Sequence, residues 1–355
     1  MATTIDVSVV VPCYNVERWL DQALESLRAN DSAGLEFILV NDGSTDSTLS
    51  TLREFARRDS RFRVIDKPNQ GYGASVNRGF DEARGVYVAV FEPDDFVLPH
   101  MYDALLAIAR EHGLPDVVKS SYWRVLDAGT DLERREHALS WHRLDPATQP
   151  FRIADCPRLL QYHPSIWSAL YKRDWLVEKG IRFMEVPGAG WVDNPFLFET
   201  MCQADSIVYT DDAWYCYREE APGSSSANRN VGLSLERWND NADVVERLGI
   251  GDEGVMQALY TVGYEYVSEA VARGALGDGN ADAVRGVLLR MRPEVVDRMP
   301  YLPIDFKRMY VRLTGYEGIH YSNLPRYVAK VRDAASCVRN HGFGELFERM
   351  GIRHA

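Results

Sequence analysis

The first hundred residues alternate between short apolar runs and segments whose apolar residues recur every three or four positions. Residues 7–11 form a β-branched run typical of a buried strand, and residues 15–27 show helical spacing behind Asn15, a residue suited to cap a helix. Further strands are predicted at 37–40, 62–65 and 86–91, and further helices at 47–57 and 74–83. Continuous apolar strands separated by helices predict an α/β fold, with a parallel sheet covered by helices on both faces.

Polar residues follow three of the four predicted strands, at the sheet edge where such folds bind ligands. Carboxylates gathered at one edge repel each other unless a cation or a donor-rich ligand lies between them. Asp94 and Asp95 close an apolar strand, and we predict that they coordinate Mg²⁺ or Mn²⁺ together with substrate phosphates. The alternative for Asp42, Asp46 and Asp95 is that each caps a helix, and for Asp46 we predict the cap.

A glycine-bearing segment at 69–79 opens the third predicted helix. Gly71, Gly73 and Gly79 do not give the GxGxxG spacing of a dinucleotide site, and the segment follows the third strand, not the first. The lysine of a phosphate-binding P-loop is also absent from it. We therefore predict a donor-rich loop on which a diphosphate can rest.

The composition is that of a folded globular protein, with 46% hydrophobic and 26% charged residues over 355 positions. This length allows one large domain plus a smaller one. With 40 basic against 52 acidic residues the formal net charge is −12, which argues against nucleic acid as a partner. Five cysteines without a CxxC pair argue against a disulfide framework and a zinc ribbon.

Membrane and export signals are not evident in the chain. No apolar run reaches the roughly 18 residues that a membrane-spanning helix needs. The first residues carry no basic segment ahead of their short apolar run, so they do not resemble a signal peptide. We expect a cytoplasmic protein.

Six segments occur in order between residue 5 and about residue 220: VSVVVPCYNVERWL, ILVNDGSTDST, NQGYGASVNRGFDEARGVYVAVFEPDD, SIWSALYKRDWLVEKGIRF, WVDNPF and YCYRE. With them the chain resembles a family 2 glycosyltransferase of the bacterial surface-polysaccharide type. The resemblance implies the GT-A nucleotide-diphospho-sugar transferase fold, a Rossmann-like, mostly parallel sheet, with residues 1–230 as catalytic domain. Helix-like segments punctuated by glycines predict a mainly helical C-terminal region at 231–355.

The resemblance also implies a nucleotide-sugar site at the first three strand ends. Pro12, Tyr14 and Glu17 would frame the base and the ribose. Asp42, or its neighbour Asn41, would accept the imide hydrogen of the base. UDP is the implied nucleotide. The complete implied set for the donor is Pro12, Tyr14, Glu17, Asn41, Asp42, Asn77, Glu92, Asp94 and Arg218.

The acidic metal motif of the family, usually Asp-Ser-Asp-Asp, is Glu92-Pro93-Asp94-Asp95 in this chain. Asp94 keeps the position of the metal ligand, and Asp95 stands beside it. The longer side chain of Glu92 must make the usual ribose-side contact differently.

Two further features concern the phosphate charge. Val76 stands where many members carry Arg, so this charge would be met by the metal, by Arg78 or by Lys67. Arg218 precedes a glycine- and serine-rich stretch at 223–226 that resembles the family's mobile loop over the diphosphate. The alternative for Arg218 is an ordinary surface position.

For the acceptor side, the resemblance implies that Asp193 is the general base, with Val192 in place of the usual Glu. The structural alternative for Asp193 is a helix N-cap before Pro195, and the two roles can coexist. Trp191 either stacks on a sugar face or is a half-buried loop aromatic.

Residues 301–355 carry nine basic against five acidic side chains, so this tail opposes the acidic remainder of the chain. Together with Met309, Tyr310, Phe343, Phe347 and Met350 the basic residues could lie on an anionic membrane surface at the inner face of the plasma membrane. The alternatives are a solvated helical face or a contact in a homo-oligomer.

These features predict an inverting, metal-dependent hexosyl or N-acetylhexosaminyl transferase that uses Mn²⁺ or Mg²⁺. It would move a sugar from a UDP-sugar to a hydroxyl of a glycan, polysaccharide, teichoic-type or lipid-linked acceptor. One rival is a catalytically idle sugar- or nucleotide-binding protein, because Glu92 and Val192 leave the family pattern. A nucleotidyltransferase is the other, although no glycine-rich basic loop follows the first strand.

Overall fold

The computed structural model describes residues 5–32, 34–219, 231–277, 280–322 and 324–349. These residues belong to two units. The first contains most of the described residues up to 219, and the second contains residues 142–145 and 157–162 together with the helices from residue 231 onward. The loop predicted at 223–226 lies outside the described residues.

The sheet of the first unit is parallel in its first half and mixed in its second. Its strands are β1 (Val7–Cys13), β2 (Leu35–Asp42), β3 (Phe62–Lys67), β4 (Tyr87–Val90), β5 (Phe96–Val97), β6 (Val117–Leu126), β7 (Arg134–His137), β8 (Ala169–Lys172) and β9 (Ile207–Arg218). Their order is β3-β2-β1-β4-β8-β6-β9-β5, with β7 paired to β6. Parallel pairing joins β1 to β2 and β4, and β2 to β3, which confirms the four predicted strands. β8 then pairs antiparallel with both β4 and β6.

The helices predicted between the first strands are present. The helices of this unit are α1 (Glu17–Arg28), α2 (Thr48–Arg58), α3 (Tyr72–Glu82), α4 (Met101–Glu111), α5 (Arg173–Lys179) and α6 (Asp193–Gln203). α1 buries Leu20, Ala23, Leu24 and Leu27, the residues that its spacing predicts. α3 packs against β1 at Gly79, where a Cβ atom would lie 2.2 Å from Cγ1 of Val10.

The strand ends on which the site prediction depends are level with one another. Cys13 at the end of β1 pairs with Asn41 near the end of β2, and the Phe91 N–H after β4 donates to the Val10 carbonyl at 2.9 Å. Residues 14–17, 42–46 and 92–95 therefore leave the sheet at the same edge, as predicted.

The N-termini of α1 and α2 are held by one carboxylate. Asp46 accepts from the Thr48 N–H at 3.0 Å and from the Glu17 N–H at 3.2 Å, so it serves the first turns of both helices and confirms its predicted structural role. Asn15 does not cap α1, contrary to the prediction, because its side-chain oxygen accepts from the Thr45 N–H at 2.8 Å in the neighbouring loop.

The second unit is helical, as predicted. Its helices are α7 (Val231–Arg247), α8 (Glu253–Ala272), α9 (Ala281–Arg290), α10 (Pro293–Arg298), α11 (Ile304–Thr314) and α12 (Leu324–Arg349). Trp238 is fully buried, and its indole N–H donates to the Leu259 carbonyl of α8 at 2.8 Å. Tyr310 of α11 is also fully buried, so it belongs to this core.

None of the helices in the described ranges combines the length and the apolar character needed to cross a bilayer.

Replacing Asp46 tests the shared cap. Asp46→Ala removes the acceptor of one N–H in each of two helices, and a lost cap typically costs about 0.5–2 kcal/mol. We expect the free energy of unfolding to fall by roughly 1–2 kcal/mol or more in urea titrations. Asp21→Ala, on the exposed side of α1, is the control and should change it by less than about 0.5 kcal/mol. Equal losses in both variants would contradict the shared cap.

Candidate active site

The acidic residues predicted to bind metal lie in the turn that joins β4 to β5. The Asp95 N–H donates to the Glu92 carbonyl at 3.0 Å and closes this turn. Glu92 and Asp94 are half-buried, whereas Asp95 is 1% exposed. Asp193, at the start of α6, lies close enough for its charge to act on Glu92. Carboxylates about a hundred residues apart in the chain therefore share one site.

The ionisation of Glu92 reflects this crowding. Removal from water raises the pKa of Glu92, and with the contributions of the Asp94 and Asp193 charges in the same direction it reaches about 8. Tyr72, the first residue of α3, donates its hydroxyl to Glu92 Oε1. Removal from water also raises the pKa values of Asp94 and Asp193. The site thus holds carboxylates whose negative charge the surrounding protein does not balance.

The donor set fits a divalent cation. Carboxylate oxygens are the ligands that Mg²⁺ and Mn²⁺ prefer, and a cation between these groups would favour their charged forms. Within the described residues no side chain donates a hydrogen bond to the Asp94 carboxylate, and the bond from Arg218 goes to the Asp94 backbone carbonyl. The role of Asp94 as metal ligand stays a prediction, which these observations favour.

Asp95 has a different environment from Asp94. Its Oδ1 accepts from the Arg218 N–H at 2.7 Å, and its Oδ2 accepts from the Tyr215 hydroxyl at 3.0 Å. Tyr215 also accepts from the Glu92 N–H at 3.1 Å, so it links both ends of the turn. As a metal ligand Asp95 stays a prediction, and these hydrogen bonds count against it because they fix the turn to β9.

Arg218 is buried, which contradicts the alternative of a surface position, and its assignment to the donor stays a prediction. It is 2% exposed, and its guanidinium lies 4.4 Å from the ring centre of Trp19 and 4.9 Å from that of Phe96. The guanidinium also donates to the Asp94 carbonyl and to Gln22 Oε1. These contacts position the backbone of Asp94. They also occupy the Arg218 guanidinium, which the resemblance assigns to the donor.

Asp193 begins α6, and Pro195 lies in the first turn of this helix. Asp193 is half-buried and accepts from the Asn194 side-chain amide at 3.3 Å. Val192, which stands where the family usually has Glu, is 1% exposed and packs in the core. Trp191 is half-buried with a left-handed backbone, φ = 51°, and its carbonyl accepts from the Asn194 N–H. The segment thus presents Asp193 next to Glu92.

Asp42 organises the loop that opens α3. Its carboxylate accepts from the ammonium of Lys67, and from the N–H groups of Gln70 and Gly71 at 2.9 Å each. The Tyr72 N–H donates to the Gly188 carbonyl at 2.9 Å. At least three N–H groups of the loop predicted to hold a diphosphate are therefore used within the protein. The assignment of Asp42 to the base stays a prediction, which these bonds disfavour.

Three further residues assigned to the donor are held in intramolecular bonds. The Asn77 amide donates to the Phe183 carbonyl at 2.9 Å and accepts from the Phe183 N–H at 3.0 Å. Lys67 pairs with Asp42, and Arg78 pairs with Glu82 at 2.8 Å on the exposed side of α3. Asn77 therefore anchors the segment after α5, and neither cation is left without a carboxylate partner.

The residues assigned to base and ribose differ in accessibility. Tyr14 is 50% exposed just after β1, which leaves its ring available to a ligand. Pro12 is buried within β1, and Glu17 accepts from the N–H of Ser47 at 3.1 Å. Asn41 is buried and donates to Asp66 Oδ1 at 2.8 Å. Their ligand roles stay predictions.

Two tyrosines of the site were missed from the sequence. Tyr72 and Tyr215 contact the acidic turn from α3 and from β9, more than a hundred residues apart. Tyr72 directly follows Gly71 at the predicted start of a helix, which was a usable signal. Tyr215 begins the YCYRE segment quoted for the resemblance, but its contact with the turn depends on a strand that the sequence did not predict.

A mostly parallel sheet with this acidic turn at the carboxyl end of β4 is the architecture of the GT-A fold. The crystal structure of S. aureus TarS 1–349 in complex with UDP-GlcNAc has a TM-score of 0.67 to this chain at 19% identity, covering 99% of this chain and 93% of that one. This likeness shows the fold.

Residues 8–177 match the family model of glycosyl transferase family 2. The uncharacterized glycosyltransferase EpsJ of Bacillus subtilis is 31% identical over 219 residues, covering 60% of this chain and 61% of that protein. The uncharacterized glycosyltransferase YibD of Escherichia coli is 29% identical over 249 residues, covering 67% of this chain and 69% of that protein. The match to the first of these relatives thus spans less than two thirds of its length.

The raised pKa of Glu92 makes a prediction about stability. The folded protein disfavours the charged form of Glu92, which lowers the free energy of unfolding wherever the unfolded chain carries that charge. This loss of stability is absent below the unfolded pKa of about 4.3 and grows until the pH reaches about 8. Glu92→Gln still accepts from Tyr72 but carries no charge. In a metal chelator we expect this variant to melt a few degrees above the wild type at high pH, about the shift that 1 kcal/mol gives a domain of 150–250 residues.

The measurement is thermal unfolding of both proteins at pH 5 and above pH 8. The difference between them should shrink at pH 5, where Glu92 is mostly protonated in the folded protein. Glu111→Gln, at an exposed position on α4, is the control. If the difference in melting temperature between Glu92→Gln and the wild type does not depend on pH, the charge of Glu92 is not its cause.

Proposed function

We propose that this chain is an inverting glycosyltransferase that moves a sugar from a UDP-sugar to an acceptor hydroxyl. The observation that supports it most is that Asp94 and Asp193 each lie close enough to Glu92 for their charges to act on it. A direct displacement needs a group to compensate the leaving diphosphate and a group to accept the proton of the attacking hydroxyl. Asp94 and Asp193 supply these two functions from different elements of the same site.

Asp94 would hold Mn²⁺ or Mg²⁺, with Glu92 beside it. When bound, such a cation compensates the negative charge of a nucleotide leaving group. Tyr72 and Tyr215 hold Glu92 and the turn in place, and Arg218 fixes the carbonyl of Asp94. Hydrogen-bonding side chains of the protein therefore position the acidic turn.

Asp193 would accept the proton of the acceptor hydroxyl while that oxygen attacks the anomeric carbon. Removal from water raises the pKa of Asp193, which makes its carboxylate a stronger base than an exposed aspartate. Three other acids are alternatives for this role, and each is engaged elsewhere: Glu185 accepts from Asn77, Asp95 from Arg218 and Tyr215, and Glu199 from Gln203. A single displacement inverts the anomeric configuration.

UDP is the proposed nucleotide, and the exposed ring of Tyr14 is the proposed contact for its base. The support is the family resemblance and the likeness in fold to TarS, whose crystal structure contains UDP-GlcNAc. The proposed sugar is a hexose or N-acetylhexosamine. For the acceptor we propose a cell-surface polysaccharide, a teichoic-type polymer or a lipid-linked glycan, reached from the cytoplasm. Residues 1–230 are the proposed catalytic domain.

We keep the alternative of an idle binding protein because Val192 stands where the family usually has Glu. Its side chain is buried and has no group that could accept a proton. This alternative predicts UDP-sugar binding without release of UDP, whereas a transferase releases UDP when an acceptor is present.

The nucleotide and the metal are tested together in a melting-temperature screen. UDP with Mn²⁺ should raise the melting temperature more than GDP, CDP or ADP, because a ligand that binds only the folded state stabilises it by RT ln(1 + [L]/Kd). In Asp94→Ala the Mn²⁺-dependent part of the UDP shift should vanish. Asp174→Ala, an exposed carboxylate of α5, is the matched control and should keep it. Equal shifts for all four nucleotides would contradict UDP, and a retained Mn²⁺ effect in Asp94→Ala would contradict the ligand.

The base is tested with Asp193→Asn. The amide keeps the shape at the start of α6 but cannot accept the hydroxyl proton, and general-base help is typically worth about 10²–10⁴-fold. We expect UDP release in the presence of acceptor to fall by about that factor, while UDP binding measured by titration changes little. Glu199→Gln, two turns along the same helix, is the matched control and should remain near wild type. Loss of UDP binding in Asp193→Asn would make Asp193 structural instead.

A further inference from the structure

The exposed side of α12 carries a continuous apolar stripe. Leu324, Tyr327, Val328 and Val331 are 68%, 64%, 50% and 69% exposed. Their spacing of i, i+3, i+4 and i+7 places them on one face, and at about 100° per residue they cover roughly 100° of the helix circumference. These four residues are called the α12 stripe. Isolated exposed apolar residues are ordinary, but an ordered row of four is not.

The opposite side of α12 is fixed to the second unit. Cys337 is 3% exposed and Ala329 is 4% exposed. Asp333 accepts from the Tyr301 hydroxyl at 2.9 Å and lies 3.8 Å from the guanidinium of Arg158. Because these contacts hold the helix by its other face, the α12 stripe points away from the unit's own core.

Basic side chains flank the α12 stripe. Arg332 and Arg339 follow it on one side of the helix and Lys330 lies on the other, and all three are exposed. Within the described residues no carboxylate forms an ion pair with any of them. Asp333 is the one acidic residue in the sequence between residues 324 and 339, and it lies on the face of α12 that contacts the second unit. An acidic chain thus keeps a local cluster of unpaired cations next to an apolar row.

We propose that the α12 stripe docks on an anionic lipid surface, with its apolar side chains at the acyl boundary and Lys330, Arg332 and Arg339 against the headgroups. An apolar row on an exposed helix face, flanked by lysine or arginine, is the pattern of a helix that lies in the membrane interface. The long stems of lysine and arginine let their charged ends reach the headgroup level while the apolar row is buried.

A second copy of the chain fits this surface less well. A standard protein interface uses about 20–30 residues on each side, whereas the stripe has four and its borders carry like charges. Two such helices face to face would bring arginine and lysine side chains of the same sign together. The charges of an anionic bilayer complement the surface instead.

The residues of this surface differ from those that the sequence predicted. Tyr310 is buried in the core of the second unit, and Met309 is half-buried. The side chains of Phe343 and Phe347, and Met350, lie outside the described residues. The proposal therefore concerns a different apolar set, at residues 324–331, and it does not depend on the transferase activity.

Flotation of the full chain with vesicles tests the proposal. The wild type should bind vesicles that contain phosphatidylglycerol and should bind pure phosphatidylcholine vesicles much less, with the difference reduced at high salt. Leu324→Asp combined with Val331→Asp should lower the bound fraction about tenfold or more, because two side chains lose their burial. Val177→Asp, at a 76% exposed position on α5, is the matched control and should bind as the wild type does.

A second variant separates charge from apolar contact and guards against misfolding. Lys330→Glu with Arg332→Glu keeps the stripe and should lose the preference for phosphatidylglycerol, with an unchanged melting temperature. Three results would overturn the proposal: no vesicle binding by the wild type, equal binding by wild type and stripe variant, or concentration-dependent self-association without lipid that the stripe variant abolishes. The last result would assign the surface to a second copy of the chain.

Discussion

The structure of the site follows from the cost of keeping several carboxylates together, partly removed from water, at the end of β4. Removal from water opposes the charged forms of Glu92, Asp94 and Asp193, and at Glu92 the charges of the other two add to this effect. The hydroxyl groups of Tyr72 and Tyr215 donate hydrogen bonds to Glu92 and Asp95, and these bonds hold the turn but bring no positive charge. The remaining imbalance is what a divalent cation would remove, so the same arrangement that costs stability without metal creates affinity for it.

A second consequence concerns the groups that hold the scaffold. Asp42, Asn77 and Arg218 were assigned to the donor from the resemblance, yet each has its polar atoms bound within the protein. Their bonds connect loops from distant parts of the chain: Asp42 fixes the entry to α3, and Asn77 fixes the segment after α5. A motif residue can thus be retained because it shapes the site without touching the ligand.

The sequence predicted the parallel half of the sheet because those strands are continuous apolar runs bounded by helices with clear apolar spacing. It could not predict β8, which has only four residues, or β9, whose apolar residues are interrupted by a polar stretch at 210–212, and both pair with strands far along the chain. The site residues also fall into those marked by the local sequence and those that depend on distant contacts. Asp94 was predictable from an acidic pair directly after a strand, whereas the support of Asp95 by Tyr215 depends on a contact across 120 residues. The burial of Tyr310 likewise depends on helix packing that a count of basic residues does not contain.

Charge acts on two length scales in this protein. A net charge of −12 would repel an anionic surface at long range, yet at physiological ionic strength charges are screened beyond about 8 Å. At contact, a surface therefore interacts with the side chains nearest to it, and around the α12 stripe these are Lys330, Arg332 and Arg339. Apolar burial acts over a still shorter range, so it adds only after that local charge has oriented the helix. In the proposed docking, attachment would therefore use the α12 stripe, where cations and apolar side chains occur together, although the net charge of the chain is negative.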